Sequence, residues 1–304
     1  MEAYREALCH FAQPVADAVG ALADQIAKQR GRSVVLVSLA RAGTPIGILL
    51  KRFLQKKYQW DVPHYSISII RGRGIDHNAM RFLLKRYRPK QLLFVDGWIG
   101  KGAIERELKK ELADYEGVSP ELAVVADPAH ITTLCGTHED LLIPSACLNS
   151  TVSGLISRTF LRADLIGPRD FHGAVFYQEL EEADLSYPFI EAIEAHFQIQ
   201  AADGEQDHRS AEPGATSNPG LLEVQSIAER FGIEDINLVK PGIGETTRVL
   251  LRRVPWKVLI DERLRGDPAL AHVLRLAAEK GVPVVYGLLK HYKCCGMIQR
   301  LADT

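Results

Sequence analysis

Four short apolar runs separated by helical patterns constrain this chain more than any other feature. They are Val34-Val35-Leu36-Val37, Tyr65 to Ile70, Leu92-Leu93-Phe94-Val95 and Leu122-Ala123-Val124-Val125. Apolar strands alternating with helices predict a parallel sheet covered on both faces. Such sheets bind ligands at the carboxyl ends of their strands. Turns with glycine or short polar residues follow these runs at those ends. A helix is expected from Pro45 through Lys51, since proline suits a first helical turn, and another from about Ala103.

The 304 residues are enough for about two domains, and one segment divides them. Residues 201–220 contain no large apolar side chain, so they cannot bury enough surface to offset their ordering entropy. The division is therefore a domain over 1–200, a flexible linker over 201–220 and a domain over 221–304. After the linker come a helix near Leu221–Phe231, a strand Lys257–Ile260, a helix near Ala269–Lys280 and a strand Val282–Tyr286. That order predicts a small α/β/α sandwich. Residues 221–304 carry 13 Lys/Arg against 10 Asp/Glu, a mildly basic balance that permits nucleic-acid binding without requiring it. No stretch approaches the ~20 apolar residues of a transmembrane helix, and the polar start lacks a secretory signal. The five cysteines, Cys9, Cys135, Cys147, Cys294 and Cys295, have neither zinc-ligand spacing nor a disulfide framework. The expected compartment is the reducing cytoplasm, with no membrane partner.

Two strand-to-helix turns carry chemistry. In Asp96-Gly97-Trp98-Ile99-Gly100-Lys101-Gly102-Ala103-Ile104, Gly100 and Gly102 let backbone approach an anion. Free N–H groups and the helix dipole near Ala103 would hold a phosphate, with Lys101 adding charge. Asp96 would meet ribose hydroxyls or orient Mg²⁺; an ordinary helix cap is the alternative. In Ser38 to Pro45, Arg41 suits bidentate contact with phosphate oxygens, and Ala42, Gly43 and Thr44 complete the turn. Arg71-Gly72-Arg73-Gly74 reads as a mobile cationic loop able to close over a leaving group, or as a solvated surface loop.

The Asp96 segment resembles the phosphoribosyl-pyrophosphate motif of the type I phosphoribosyltransferases. Asp96 falls on the first acid, Gly97 replaces the second, and residues 100–104 replace the phosphate loop without its hydroxyls. The resemblance implies a phosphoribosyl pyrophosphate site with Mg²⁺ at Asp96. Lys101, Gly102 and Ala103 would hold the 5′-phosphate. Arg41 and Gly43 would hold the pyrophosphate, helped by Arg71 and Arg73.

A third cluster runs from Pro144 to Thr159, with hydroxyls around Cys147 and a helix N-terminus expected at Asn149, Ser150 or Thr151. Cys147 is a candidate nucleophile with His138 or His172 as base and Asp140 as orienter, or a buried inert thiol. Together with His64 to Asp76 and the two turns, this cluster resembles one family of bacterial phosphoribosyltransferase-like proteins. They are found with tellurite-resistance and stress genes, and some carry the label cysteine protease StiP. The resemblance spans residues 30–190.

In the C-terminal domain, Lys240-Pro241-Gly242-Ile243-Gly244-Glu245-Thr246-Thr247-Arg248 precedes a strand, and Lys290-His291-Tyr292-Lys293-Cys294-Cys295-Gly296 follows the last one. The domain resembles the Pelota-type RNA-binding domain, related to proteins that grip kinked RNA. Gly242, Glu245 and Arg248 match its signature, and Gly244 stands where a base-reading Asn would be. The implied RNA contacts are Gly242, Gly244, Glu245, Arg248, Lys290 and Lys293. The expected function is transfer of ribose phosphate to a base-like acceptor, coupled to RNA binding, in stress or tellurite resistance. The rivals are a cysteine hydrolase using Cys147 and a non-catalytic nucleotide-sensing RNA-binding protein. A homo-oligomer is compatible with each.

Overall fold

The computed structural model describes residues 2–70, 72–148, 156–199 and 218–299. The first part runs α1 (Glu2–Arg30), β1 (Val35–Ala40), α2 (Gly43–Tyr58), β2 (His64–Ile70), β3 (Gly74–Ile75), α3 (His77–Leu84), β4 (Leu92–Trp98), α4 (Ala103–Leu112), β5 (Leu122–Ala126), β6 (Cys135–Thr137), β7 (Ile156–Phe160), β8 (Gly173–Phe176) and α5 (Ser186–Glu194). The second runs α6 (Pro219–Arg230), β9 (Val239–Pro241), α7 (Ile243–Arg252), β10 (Pro255–Asp261), α8 (Ala271–Glu279), β11 (Val284–Gly287) and β12 (Cys294–Ile298). Among the described residues, no helix is long and apolar enough to cross a membrane.

The apolar runs form the predicted sheet, in the order β3-β2-β1-β4-β5-β6. Every pairing is parallel except β2 with β3. Successive strand residues point to opposite faces, so a continuous apolar run feeds two cores. Leu36, Leu93, Val95, Ala123 and Val125 pack with α1, α2 and α5. Val35, Val37, Phe94, Leu122 and Val124 pack with α3 and α4 on the other side. The chain leaves β1 for β2 on one side and reaches β4 on the other. The turns after β1 and β4 therefore flank the point where strand order reverses, where open α/β sheets form a crevice.

The second sheet has the order β11-β10-β12-β9, with β10–β11 parallel and the other pairs antiparallel. Helix α6 covers one face and helices α7 and α8 the other, as an α/β/α sandwich requires. That second core also takes in Ala7 of α1, Leu142 and Ala146, so the two domains share buried surface.

Several local expectations change. Helix α2 continues past Lys51 to Tyr58 because Phe53 and Leu54 extend its buried stripe. Helix α1 rests on Val15, Val19, Leu22 and Ile26, each fully buried at helical spacing. The helix N-terminus expected at Asn149, Ser150 or Thr151 falls on residues 149–155, outside the described residues, and Ile156–Phe160 is a strand paired with Gly173–Phe176. Cys294 and Cys295 belong to β12, where both are fully buried as small apolar residues. The expected linker ends early. Asn218 caps α6 through the Leu221 N–H at 2.9 Å, with Pro219 at the first helical position, while 201–217 lie outside the described residues.

Asp140, buried in the first domain, accepts the N–H of Ile243 at 3.0 Å and of Lys293 at 2.8 Å, both from the second. Removing the carboxylate strands one buried and one half-buried donor, each worth about 1–3 kcal/mol. Asp140→Ala is therefore expected to lower unfolding free energy in urea by roughly 2–6 kcal/mol. A loss below ~1 kcal/mol would mean that water replaces the contact.

Candidate functional site in the interdomain cleft

The two turns at the reversal point meet. Gly43 begins α2 directly against β4, where an added Cβ would lie 2.3 Å from the Val95 carbonyl oxygen. Strand-to-turn packing therefore requires glycine here. The Ala40–Arg41 peptide before it is cis. Thr44 Oγ1 lies 2.9 Å from Ser66 Oγ, tying the turn to β2.

Asp96 sits near the end of β4, half-buried, with Oδ1 accepting the Gly97 N–H at 2.8 Å. Burial pushes its carboxyl up to about 6, opposed by that hydrogen bond and by the Arg248 charge. Gly100, Lys101, Gly102, Ala103 and Glu105 line a cavity of about 200 Å³ beside it. Gly102 precedes α4 at φ 75°, and no side chain caps that helix end. Lys101 is a correction to the sequence reading. Its side chain is buried, and the ammonium donates to the carbonyls of Ile236 and, at 3.0 Å, Val239. It binds the second domain instead of standing open for a phosphate.

A second cavity of about 470 Å³ adjoins the first through Ala42, Asp96, Ile104, Lys240, Glu245 and Arg248. Arg41 lines it from the β1 turn, Arg252 from the end of α7 and Arg253 from just beyond it. The cleft is thus floored by the first domain and roofed by α7. Arg248 stacks 4.5 Å from the Trp98 ring and pairs with Glu245 at 3.0 Å. Burial, and then the charges of Arg248 and Arg41, pull the Arg252 guanidinium down to about 10.

Two of the expected RNA contacts, Gly242 and Gly244, are packed against the first domain. Gly242, at φ 89°, is buried where a side chain would meet the Asp140 carboxylate. Gly244 is buried against the Trp98 ring. Lys293 is half-buried and Lys290 exposed, and their backbone N–H groups are held by Asp140 and Glu223. Glu245 and Arg248 face the cleft. Arg73 lies exposed in the β2–β3 turn and lines neither cavity; Arg71 lies outside the described residues. That hairpin is pinned by Asp76, which caps α3 through the Ala79 N–H and accepts the His172 N–H at 2.7 Å. Arg252 went unnoticed in the sequence. Its signal was the i, i+3, i+7 spacing of Glu245, Arg248 and Arg252, which places all three on one helix stripe.

Cys147 sits at the end of a short 3₁₀ turn, Pro144–Cys147, where burial pushes its thiol up to about 12. Its expected partners are occupied elsewhere. His172 bonds Ser68 Oγ at 2.8 Å, Asp140 holds the second domain, and His138 stacks on His130 with centroids 4.1 Å apart. His138 instead approaches Cys135, with Nε2 3.4 Å from the sulfur.

Residues 1–194 match the family described as "Tellurite-like stress resistance cysteine protease StiP", and residues 218–300 match the "PELOTA RNA binding domain". A "Cysteine protease StiP" of Acinetobacter baylyi is 35% identical over 315 residues, spanning 99% of this chain and 81% of that protein. Solved structures include a hypoxanthine-guanine phosphoribosyltransferase of Bacillus anthracis at 18% identity, covering 41% of this chain and 77% of that one, with a TM-score of 0.32. A Helicobacter pylori xanthine-guanine-hypoxanthine phosphoribosyltransferase is 21% identical over 38% of this chain and 72% of its own, with a TM-score of 0.27. By its family match and its curated relative alike, this chain belongs to the tellurite-like stress resistance StiP family.

Proposed function

We propose that the cleft binds phosphoribosyl pyrophosphate and that the chain transfers ribose phosphate from it to a base-like acceptor. One observation carries the reading. Asp96 and the turns after β1 and β4 converge at the reversal point of a parallel sheet, on cavities of about 200 and 470 Å³, a volume suited to a small ligand. The amides opening α4 would hold the 5′-phosphate, and Asp96 the ribose hydroxyls. In the transfer, the bond from ribose C1 to the pyrophosphate oxygen breaks as an acceptor nitrogen attacks C1. Pyrophosphate leaves with the bonding pair, and the acceptor's proton passes to solvent. Arg41 would stabilise the charge that develops on the leaving oxygens.

Mg²⁺ fits this site in one form. Among the described residues, no three His, Cys, Asp or Glu side chains gather as metal ligands. Mg²⁺ commonly binds one or two carboxylates plus substrate phosphates, and Asp96 with Glu245 nearby suits an ion that arrives on pyrophosphate. When bound, it would neutralise phosphate charge.

The relative's name supports a second reading, peptide hydrolysis by a cysteine, and the geometry favours Cys135 over Cys147. His138 Nδ1 lies 2.9 Å from the Asp127 carbonyl oxygen, which only accepts, so Nδ1 carries the proton. Nε2 is then free to accept from the Cys135 thiol. Burial pushes that thiol up to about 12, so it would react only by handing its proton to His138 as it attacks.

Calorimetric titration of phosphoribosyl pyrophosphate with Mg²⁺ tests the first reading. Asp96→Ala is expected to weaken binding at least ~10-fold, about 1.4 kcal/mol; no binding by the wild type sinks the reading. The same titration has a pH signature. With a carboxyl at about 6, Asp96 loses its charge as pH falls from 7.5 to 5. Wild-type affinity is expected to drop by roughly tenfold more than that of Asp96→Asn across this range, since about one molecule in ten stays ionised a unit below the pKa. Equal slopes would remove Asp96 from the ligand. For the second reading, Cys135→Ser is expected to abolish casein hydrolysis and Cys147→Ser to preserve it. A wild type without hydrolysis ends that reading.

A further inference from the structure

Helix α7 belongs to the domain that matches an RNA-binding family, yet its charged stripe faces inward. Glu245 and Arg248 line both cavities, and Arg252 and Arg253 line the larger one. The larger cavity gathers five basic side chains, Arg41, Lys240, Arg248, Arg252 and Arg253, against Asp96 and Glu245. Arg253 is exposed and the other four are half-buried, so together they present a positively charged lining that favours a negatively charged ligand. Among the described residues, the Nε atoms of both Arg248 and Arg252 are buried without a hydrogen-bond partner. Unmade bonds of this kind point to an absent acceptor.

The first domain also lacks the cation its own turn was expected to supply, since the Lys101 ammonium is turned into the domain interface. Arginine forks suit phosphate oxygens in pairs. We infer that α7 completes the anion site, and that the cleft selects ligands bearing a pyrophosphate group, held between Arg41 of the first domain and Arg248 and Arg252 of the second. This rests on the phosphoribosyl reading above and adds its partner domain. The site then belongs to neither domain alone, and the stripe that would have met RNA meets the substrate's phosphates.

Three probes separate the inference from that reading: inorganic pyrophosphate, phosphoribosyl pyrophosphate and ribose 5-phosphate. Each is titrated with Mg²⁺ into the full chain by calorimetry. For Arg248→Gln and Arg252→Gln, pyrophosphate and phosphoribosyl pyrophosphate are expected to bind at least ~10-fold more weakly. Ribose 5-phosphate, which lacks the pyrophosphate, is expected to change less than ~2-fold, and Lys280→Ala, an exposed residue just after α8 that lines neither cavity, to change none of the three. Equal weakening of all three probes, or of none, overturns the role of α7 while the phosphoribosyl reading stands. A wild type that binds no probe overturns both. Arg252 also donates to the Leu148 carbonyl. If its Gln variant fails to fold, judged by circular dichroism, Arg248→Gln alone decides.

Discussion

Two buried ions of opposite sign hold the second domain to the first, and the cleft depends on both. Lys101 takes carbonyls at Ile236 and Val239, just before and within β9. Asp140 takes the Ile243 N–H at the first residue of α7. A cation on the carbonyl side and a carboxylate at a helix N-terminus are each matched to the local dipole. Between them they fix where α7 starts and which way its stripe turns. Tyr292 adds a third tie, its hydroxyl donating to the Gly100 carbonyl at 2.6 Å. With these contacts in place, Arg248 comes to rest over Trp98 and the roof of the cleft is set.

The fold was legible because its signals are local. A run such as Leu92-Leu93-Phe94-Val95 is apolar at every position only when both faces are covered, so the parallel sheet follows from the letters alone. The site was half legible for the opposite reason. The turns could be placed on strand ends, but what each residue there does was decided by residues far away in the chain. Lys101 has the composition of a phosphate ligand and becomes an interdomain tie because Ile236 and Val239 arrive beside it. Gly43 has the freedom to approach an anion and spends it on the β4 backbone. The Cys294-Cys295 pair was placed in a loop because it follows the last apolar run the sequence shows, whereas the antiparallel return of β12 places the two at the centre of a sheet.

The family likeness and the cleft bear on different questions. Membership in the StiP family carries a protease name, while the geometry that is most developed here is a cleft lined by arginines. The thiol named first from sequence, Cys147, is packed under α1 and has no imidazole among the described residues. The pairing of Cys135 with His138 keeps a thiol chemistry physically open, although that sulfur lies in the core beneath its histidine.

Trp98 gives the missing asparagine of the second domain a different meaning. An RNA-reading domain standing alone would place a side chain at position 244. Here the Trp98 ring already occupies that space, 3.1 Å from where a Cβ would begin. Glycine at 244 is then the footprint of a neighbouring aromatic ring, not the erosion of a nucleic-acid code. Across the family, the two positions would be expected to drift as a pair, a bulky ring beside a bare backbone or a smaller residue beside a restored side chain.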